Sequence, residues 1–386
     1  VRVVSRSYKK RAKAAAWISD GSDAFQIESA EKEDRGTEMH ITLKKDAADL
    51  ASEWKLKQII KKHSDFVRYP IYVGDQQANQ QTPLWRKQSS TVEQEDYTNF
   101  YRQMTMDFEE PLLTIHFASD APVNVRALLF IPAKREQSIL ASRTDPGVML
   151  YSHNVLIQEY CTDLLPKWLE FIDGVVDSED LPLNVSRETV QNNRLMRQLG
   201  KMIKGRVLRE LKKLADDDPE KYAKFWGEYG RYLKEGTAID PTAKEDVLPF
   251  FRYHTSKSNG ELTSLDAYLE RKPDSQTEIY YVTGDSVSSV ANSPHLDPFK
   301  AHDLEVLYWV DPLDALIAPG LQNYKETPFK NSDDADIELP ETEDAAEEEE
   351  SEAALPEKEF NAFVGRCVTT LGDKVLEVRA SKVLKN

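Results

Sequence analysis

Apolar and polar positions alternate in the first part of the chain, and this pattern predicts β-strands there. The alternation is typical of half-buried strands at 1–7 and at 39–43. Strand-forming residues also lie on both sides of an Asp-Gly-Ser turn at 20–22, so we expect a hairpin over 17–28. Further along, apolar residues recur at three-to-four spacing among charges and predict a helix. These residues are Leu50, Trp54, Ile59 and Ile60.

A polar stretch at 74–83 follows this region. It has Gly and Pro at its ends and no periodicity, which is typical of a short linker. Beyond it the pattern predicts strands first and then a series of helices. The predicted strands are 112–117, 124–132 and 148–157, and the predicted helices are 164–171, 187–214, 221–233, 242–251 and 264–271. The longest helix carries an apolar stripe from Val190 to Leu214, which we expect to face a core.

The next region has the pattern of a strand, a helix and a second strand. Residues 278–283 and 304–310 are apolar enough for buried strands, and residues 287–300 have a helical pattern. This order and spacing predict two parallel strands joined by a helical crossover. The last stretch, 360–386, has a helix-then-strand pattern. Together these elements indicate an α/β (α+β) fold.

Acidic residues are concentrated in one segment of the chain. The formal net charge is −17, and the 14 acidic residues and one lysine of 333–359 contribute −13 of it, which leaves −4 for the rest. Dense like charge with low hydrophobicity predicts a disordered linker. An acidic chain does not attract a nucleic-acid backbone through its overall field, so we expect no nucleic-acid partner.

The composition is typical of a soluble globular protein, with 40% hydrophobic and 30% charged residues. No apolar run approaches the ~18 residues that a membrane span requires, so we expect no membrane partner. Cys161 and Cys367 lie far apart in no metal-type spacing, which indicates a reducing compartment. The chain begins with VRVVSRSYKK, which is typical of the middle of a strand, so we expect a fragment of a longer protein.

The sequence contains no self-contained active-site motif. It lacks the phosphate-binding loop, the zinc-protease motif, the nucleophile elbow and the dinucleotide fingerprint, and its seven histidines are dispersed. We therefore predict no metal site in this chain.

The segment DSEDLPLNVSRE at 177–188 is the most unusual stretch. Asn184 and Ser186 are both good N-cap types for the long helix, and Arg187 then falls in its first turn. A cation at that end opposes the helix dipole. Arg187 is therefore either a surface arginine paired with a nearby carboxylate, or a guanidinium that meets an anion such as phosphate at the helix terminus.

This segment resembles the arginine-bearing catalytic loop of the heat-shock protein 90 family, and other segments resemble the family in the same order along the chain. They are GTEMHITLK (36–44), KQIIKKHSDFVRYPIYV (57–73), PLWRK (83–87), RALLFIP (126–132), YLKEG (232–236), LTSLDAYLERK (262–272), IYYVTGDS (279–286) and LGDKVLEVRAS (371–381). The resemblance spans nearly the whole chain.

The resemblance implies four parts. Residues 1–75 resemble the C-terminal part of a gyrase–kinase–MutL-type ATPase domain. Residues 76–330 resemble the family's middle domain, which has a ribosomal-protein-S5-like first part and a smaller αβα part. The acidic linker covers 331–359, and 360–386 resemble the start of the C-terminal dimerisation domain.

The resemblance also implies an ATP-dependent chaperone that assists the folding of client proteins as a homodimer. In such a protein Arg187 reaches the γ-phosphate of ATP, and Asn184 and Ser186 fix its loop. Gln191 lies four residues after Arg187, on the same helix face, and could support it.

The nucleotide itself, ATP with Mg²⁺, would be bound mainly by residues that precede Val1. We therefore expect this chain alone neither to bind ATP well nor to hydrolyse it. Gly36 and Thr37 resemble the family's residues near the adenine; the alternative is a threonine that simply starts a strand.

Trp85 and Leu84 resemble an exposed loop of the family, which would contact clients or the opposite protomer. The alternative is a buried core tryptophan. Phe130 is expected in the core, although in the family its strand lies near the surface on which the nucleotide domain docks.

The short linker at 74–83 is similar to that of bacterial and organellar members. The segments DAPVNVRALLF (120–130), VLIQ (155–158) and DLLPKWLEFIDGVVDSED (163–180) are similar to the mitochondrial paralogue and its bacterial relatives. We expect a cytoplasmic bacterial protein, with a mitochondrial or other organellar one as the alternative.

Two other function classes stay open. The first is a MutL- or gyrase-like ATPase that acts on DNA, which usually supplies a lysine and needs basic surfaces. The second is a non-catalytic scaffold that binds clients.

Overall fold

A computed structural model describes residues 1–134, 146–182, 194–334 and 357–371. The chain divides into two compact units, the first formed by 1–83 with 154–156 and the second by 84–153 with 157–386. Both contain helices and sheets, which confirms the predicted α+β class. Within the ranges above, no helix is long and apolar enough to cross a membrane.

The first unit contains a four-stranded antiparallel sheet, a helix and a short hairpin. Its elements are β1 (Arg2–Arg6), β2 (Ala14–Ile18), β3 (Gln26–Ala30), β4 (Gly36–His40), α1 (Glu53–His63), β5 (Tyr72–Val73) and β6 (Gln76–Gln77). The sheet order is β3-β2-β1-β4. Trp17 lies opposite Ile27, which confirms the predicted hairpin. The last strand begins at Gly36 rather than at residue 39, because Gly36 already pairs with Arg6.

The segment 74–83, predicted as a short linker, contains a tight turn and specific hydrogen bonds. Gly74, at φ +59, turns the chain between β5 and β6, a conformation that suits glycine. Asn79 then holds the rest of the segment, since its side-chain amide donates to the carbonyl oxygens of Val67 and Tyr69 at 3.0 Å each. The polar composition therefore reflects specific hydrogen bonds.

The second unit begins with a helix and a five-stranded mixed sheet. These elements are α2 (Gln94–Thr105), β7 (Leu113–Ser119), β8 (Val125–Ile131), β9 (Val148–Ser152), β10 (Val155–Cys161) and β11 (Asp173–Asp177). The sheet order is β10-β9-β11-β8-β7, which places β11 at the centre. This strand pairs antiparallel with β8 and parallel with β9.

Two predictions for this sheet are wrong. The third predicted strand is a hairpin, because His153 and Asn154 adopt φ values of +49 and +67, as a tight two-residue turn requires. The predicted helix at 164–171 is only a 3₁₀ turn, Lys167–Leu169. The chain cannot continue as a helix there because it enters the central strand at Asp173. The helix α2 was not predicted.

Two long helices, α3 (Arg194–Asp217) and α4 (Pro219–Ile239), share one hydrophobic core with the five-stranded sheet. Asp218 lies between the two helices, and its side chain caps the second by accepting a hydrogen bond from Lys221 N at 3.0 Å. The predicted core face of the long helix is confirmed for its described residues. Its buried members are Met196, Leu199, Ile203, Val207, Leu211 and Leu214.

The remaining elements form a six-stranded sheet with short helices. They are α5 (Lys244–Val247), β12 (Arg252–Thr255), β13 (Thr263–Ser264), α6 (Leu265–Arg271), β14 (Ile279–Thr283), α7 (Val287–Ala291), α8 (Asp297–Ala301), β15 (Leu307–Trp309), α9 (Pro312–Ile317), β16 (Asn323–Tyr324) and β17 (Thr327–Asn331). The sheet order is β13-β12-β15-β14-β17-β16. Tyr281 pairs in parallel with Leu307, which confirms the predicted crossover, although Pro294 lies where its helix is divided in two.

A last helix, α10 (Glu357–Leu371), lies at the start of the region predicted as helix and strand. The strand predicted after it and most of the acidic segment lie outside the described residues, and those predictions stay predictions. The helix predicted at 242–251 is shorter than expected, because Pro249 lies in a 3₁₀ turn after α5.

Gly174→Ala tests how tightly β11, the central strand of the five-stranded sheet, packs against its neighbour β8. Gly174 has φ +142, and a Cβ there would meet the Leu128 carbonyl oxygen and lie 2.7 Å from Leu129 Cα. We expect the free energy of unfolding to fall by at least about 2 kcal/mol, because two paired backbones would have to separate. Urea denaturation followed by circular dichroism measures the change.

The matched control is Gly205→Ala on α3, where an added Cβ meets no atom within 4 Å. This variant should gain about 0.5–1 kcal/mol, since alanine is the better helix former. Equal stabilities of the two variants would contradict the tight packing of β11 on β8.

Candidate functional site

The four residues predicted for the catalytic loop lie outside the described part of the chain. They are Asn184, Ser186, Arg187 and Gln191. The structure describes the chain on both sides of them, up to Pro182 and again from Arg194. The candidate site is therefore built from the residues that hold the chain just before this loop.

Asp177, the last residue of β11, has a fully buried carboxylate. Its Oδ2 accepts hydrogen bonds from Trp85 Nε1 at 3.2 Å and from Arg86 Nε at 2.8 Å, and Arg86 Nη2 lies 2.8 Å away. Arg86 Nη1 also donates to Glu179. We call Trp85, Arg86, Asp177 and Glu179 the Asp177 clamp. It joins two segments that lie about ninety residues apart in the sequence.

Arg86 keeps its charge in the clamp. Burial lowers the pKa of the Arg86 guanidinium, but the hydrogen bonds and charges of Glu179 and Asp177 outweigh burial and raise this pKa. Arg86 is therefore a permanent cation beside the buried carboxylate. Removing one partner of such a pair leaves an uncompensated buried charge, which costs about 3–5 kcal/mol.

Hydrogen bonds also fix several of the residues that follow Asp177. Ser178 N donates to the carbonyl oxygen of Tyr151 at 3.1 Å, and Asp180 Oδ2 accepts from the backbone N of Asn124 at 2.7 Å. The carbonyl oxygen of Leu181 accepts from the hydroxyl of Ser152 at 2.6 Å. These bonds thus fix the segment that leads to the predicted catalytic loop to β9 and to the residue before β8.

The prediction that Trp85 is exposed is wrong. Only 1% of Trp85 is accessible, because its indole N–H donates to Asp177 and its ring packs in an aromatic cluster. The ring centroid lies 5.0 Å from that of Tyr151 and 6.0 Å from that of Phe100. Leu84 beside it is half-buried. Burial removes the argument for Trp85 as an exposed client contact.

Phe130 is fully buried, as predicted, and it belongs to the same aromatic cluster. Its ring lies 6.2 Å from Phe100 and 5.2 Å from Tyr101, so Phe100 contacts both Phe130 and Trp85. The structure therefore brings together two of the predicted interface residues. They meet inside a core, where neither offers a surface to a client.

His116 supports the clamp from β7. Its Nδ1 lies 2.7 Å from the Tyr97 hydroxyl, and its Nε2 lies 3.3 Å from the carbonyl oxygen of Trp85. A neutral ring serves both contacts, with Nδ1 accepting and Nε2 donating. Burial lowers the pKa of His116, although the hydrogen bond to Trp85 opposes this shift.

Gly36 and Thr37 lie at the start of β4 in the first unit. Thr37 is exposed, and its hydroxyl oxygen lies 2.9 Å from that of Ser5 on the neighbouring strand. Gly36 has φ +132, a conformation that favours glycine. These contacts fit a threonine that starts a strand, and the role near adenine stays a prediction.

The structure also shows an exposed pair that the sequence reading missed. Met106 and Phe108 are 45% and 68% exposed on the loop after α2. Asp107 between them is buried, and it accepts hydrogen bonds from the Tyr101 hydroxyl at 2.7 Å and from Glu109 N at 3.0 Å. We call residues 106–109 the Phe108 loop. In the sequence, the only indication of this exposed pair is that two isolated apolar residues flank an aspartate.

Comparison with known proteins identifies relatives along the whole chain. The family described as "Hsp90 protein" matches residues 73–386. "Chaperone protein HtpG" of Desulfitobacterium hafniense is 39% identical over 385 residues, which cover 100% of this chain and 62% of that protein. HtpG of Nitratidesulfovibrio vulgaris is 38% identical over 389 residues, and HtpG of Chlorobaculum tepidum 35% over 388, each covered to 61%. The chain thus spans about three fifths of the length of these relatives.

Asp177→Ala tests the clamp. The change removes the acceptor of the buried Trp85 N–H and of Arg86 Nε, while Glu179 still binds Arg86, so we expect the free energy of unfolding to fall by about 3 kcal/mol. The control is Asp120→Ala, whose ion pair with Arg126 at 2.7 Å is largely exposed and contributes at most about 1 kcal/mol. Denaturant titration of both variants measures the difference, and a loss no larger than that of the control would contradict the clamp.

Proposed function

This chain belongs to the Hsp90 family, and on that premise we propose that it serves in an ATP-dependent molecular chaperone that assists client folding as a homodimer. The Asp177 clamp is the observation that carries the proposal. It anchors the chain immediately before residues 183–193, which contain Arg187. In the proposed function, Arg187 contacts the γ-phosphate of ATP.

The chemistry of ATP hydrolysis suits such an arginine. Negative charge develops on the oxygens of the transferred phosphoryl group, and a planar guanidinium can donate two hydrogen bonds to them. The benefit depends on position, since a displacement of about 1 Å can cost on the order of a hundredfold in rate. A rigid attachment of the loop therefore supports the reaction.

Both described flanks of the loop meet this requirement. On one side, Asp177 is buried and bound by Arg86 and Trp85. On the other side, α3 is packed from its first described turn, because Met196 and Leu199 are 3% and 0% exposed. We infer that these two anchors limit how far Arg187 can move.

The other predicted residues receive supporting roles in the proposal. Asn184 and Ser186 are assigned as N-cap residues, and Gln191, four positions after Arg187, is assigned to support its side chain. Thr37, with Gly36, contributes to the surface for the adenine. Mg²⁺ accompanies ATP, but among the described residues no group of three or more His, Cys, Asp or Glu side chains could hold a metal ion. We assign the metal to none of them.

The Phe108 loop is the surface that we propose for client contact. Exposed apolar side chains held in fixed positions are typical of protein interfaces. Met106 and Phe108 fit this description, because the buried Asp107 fixes the backbone between them. We therefore assign the client contact to Phe108 instead of Trp85, which is buried.

Arg187→Ala tests the catalytic role in the full-length protein. We expect steady-state ATP turnover to fall at least ~tenfold, as for the loss of one donor that stabilises developing charge. The control is Arg197→Ala, an exposed arginine on α3, which should leave turnover unchanged. Equal turnover in the two variants would refute the role of Arg187. Stimulation by DNA without suppression of protein aggregation would instead support a DNA-acting ATPase.

Phe108→Ser tests the client surface in this chain. Burial of a phenylalanine side chain contributes about 1.5–3 kcal/mol, so affinity for an unfolded client should weaken about tenfold. Leu316→Ser is the control, because Leu316 is 64% exposed on α9 and lies outside the loop. Light scattering of an aggregating client protein reports the effect. An equal loss in both variants would show general surface hydrophobicity instead of a specific contact.

A further inference from the structure

A cavity of about 440 Å³ lies in the second unit, and none of its lining residues belongs to the Asp177 clamp. Residues at the end of α3, at the start of α4 and on β12 line it. Arg252 and His254 are half-buried lining residues, whereas Glu220 and Glu261 are exposed. Part of the wall is apolar and is formed by Ala215, Pro219, Ala223 and Leu262.

Arg252 is the unusual member of this lining. Its Nη1 donates to the backbone carbonyl oxygens of Pro249 and Phe251 at 3.3 and 3.0 Å. Its guanidinium lies 4.3 Å from the ring centroid of Tyr222. No carboxylate among the described residues forms an ion pair with it, and Asp266 and Asp216 act only from a distance. The positive charge is thus held by neutral acceptors and a ring.

Such an environment favours an anionic ligand. An arginine that is withdrawn from water is normally paired with a carboxylate. Desolvation lowers the pKa of Arg252, which agrees with a charge that lacks a close counter-ion. Nε and Nη2, the remaining donors of the planar group, are suited to a bidentate carboxylate.

His254 adds a second polar group to the same wall. It follows Arg252 by two residues on β12, so both side chains project from one face of the sheet. Its Nδ1 has no hydrogen-bond partner among the residues that the structure describes.

We propose that this cavity binds a single carboxylate that is carried next to an apolar group. The carboxylate pairs with Arg252, and the apolar group packs against Ala223 and Leu262. Glu220 and Glu261 are exposed lining residues, and they repel a multiply charged anion more strongly than a single carboxylate, which disfavours phosphate groups. A peptide C-terminus after an apolar residue, or an acidic side chain beside one, has this chemistry.

The first test compares N-acetyl-leucine with its amide, which differs only in the missing charge. Titration of this chain followed by ligand-observed NMR should give at least about tenfold tighter binding of the acid. Equal binding of acid and amide would overturn the proposal, and this comparison requires no variant. Inorganic phosphate that competes as well as the acid would also overturn the assignment to one carboxylate.

The second test uses Arg252→Gln, which should remove the preference for the acid. Arg231→Gln is the control, because Arg231 is exposed and pairs with Glu235 on the surface of α4. Circular dichroism confirms that each variant is folded. An unchanged preference in folded Arg252→Gln would contradict the assignment.

A third comparison separates the two sources of the carboxylate. N-acetyl-leucine presents a chain terminus, whereas an amidated acetyl-Leu-Glu-Leu peptide presents an acidic side chain. Preference for one of them identifies the source and supports the shared chemistry. Failure of both to bind would overturn it.

Discussion

A carboxylate that is fully removed from water needs donors on every side, and Asp177 obtains them from Trp85 and Arg86. This one requirement orders much of the second unit. It draws the segment at 84–86 onto the end of the central strand, and with it the indole ring that completes the aromatic cluster around Phe100. It also fixes the chain that enters the proposed catalytic loop. The anchor of the proposed loop and the packing of the core therefore depend on the same buried carboxylate.

Other buried charges in this unit follow the same rule. Glu305 is 4% exposed and is bound by Arg271 through two hydrogen bonds of 3.0 and 2.7 Å. Lys234 is equally buried, and its ammonium lies 2.7 Å from Asp314. Asp314 itself is 1% exposed. The half-buried Arg252 differs from these groups, because none of the described carboxylates forms an ion pair with it.

Sequence patterns predicted those parts of the fold that depend on near neighbours. The periodicity of apolar residues predicts the core stripe of α3 and the crossover between β14 and β15, and the structure confirms both. The central strand β11 was missed because DGVVD carries an aspartate at each end and a glycine beside one of them. Only its two neighbouring strands make this sequence a strand.

The candidate site was predictable to a similar extent. The family motif indicated Arg187 and its loop, but it could not indicate the clamp, because Trp85 and Asp177 lie 92 positions apart. Trp85 stands between Leu84 and Arg86, a context that resembles an exposed loop. Its burial depends on a carboxylate that no local pattern connects to it. Phe108 was missed because single apolar residues are common on protein surfaces, so the pair around Asp107 is a weak signal.

The sheet order has a consequence for synthesis of the chain. The β7–β8 and β9–β10 hairpins can each form as soon as they leave the ribosome, yet they do not pair with each other in the finished sheet. β11 separates them and is made last. A nascent chain therefore carries two open strand edges until residue 177 has emerged, and such edges are prone to wrong pairing. The insertion that closes them also brings Asp177 to Arg86, so the sheet and the anchor of the loop are completed together.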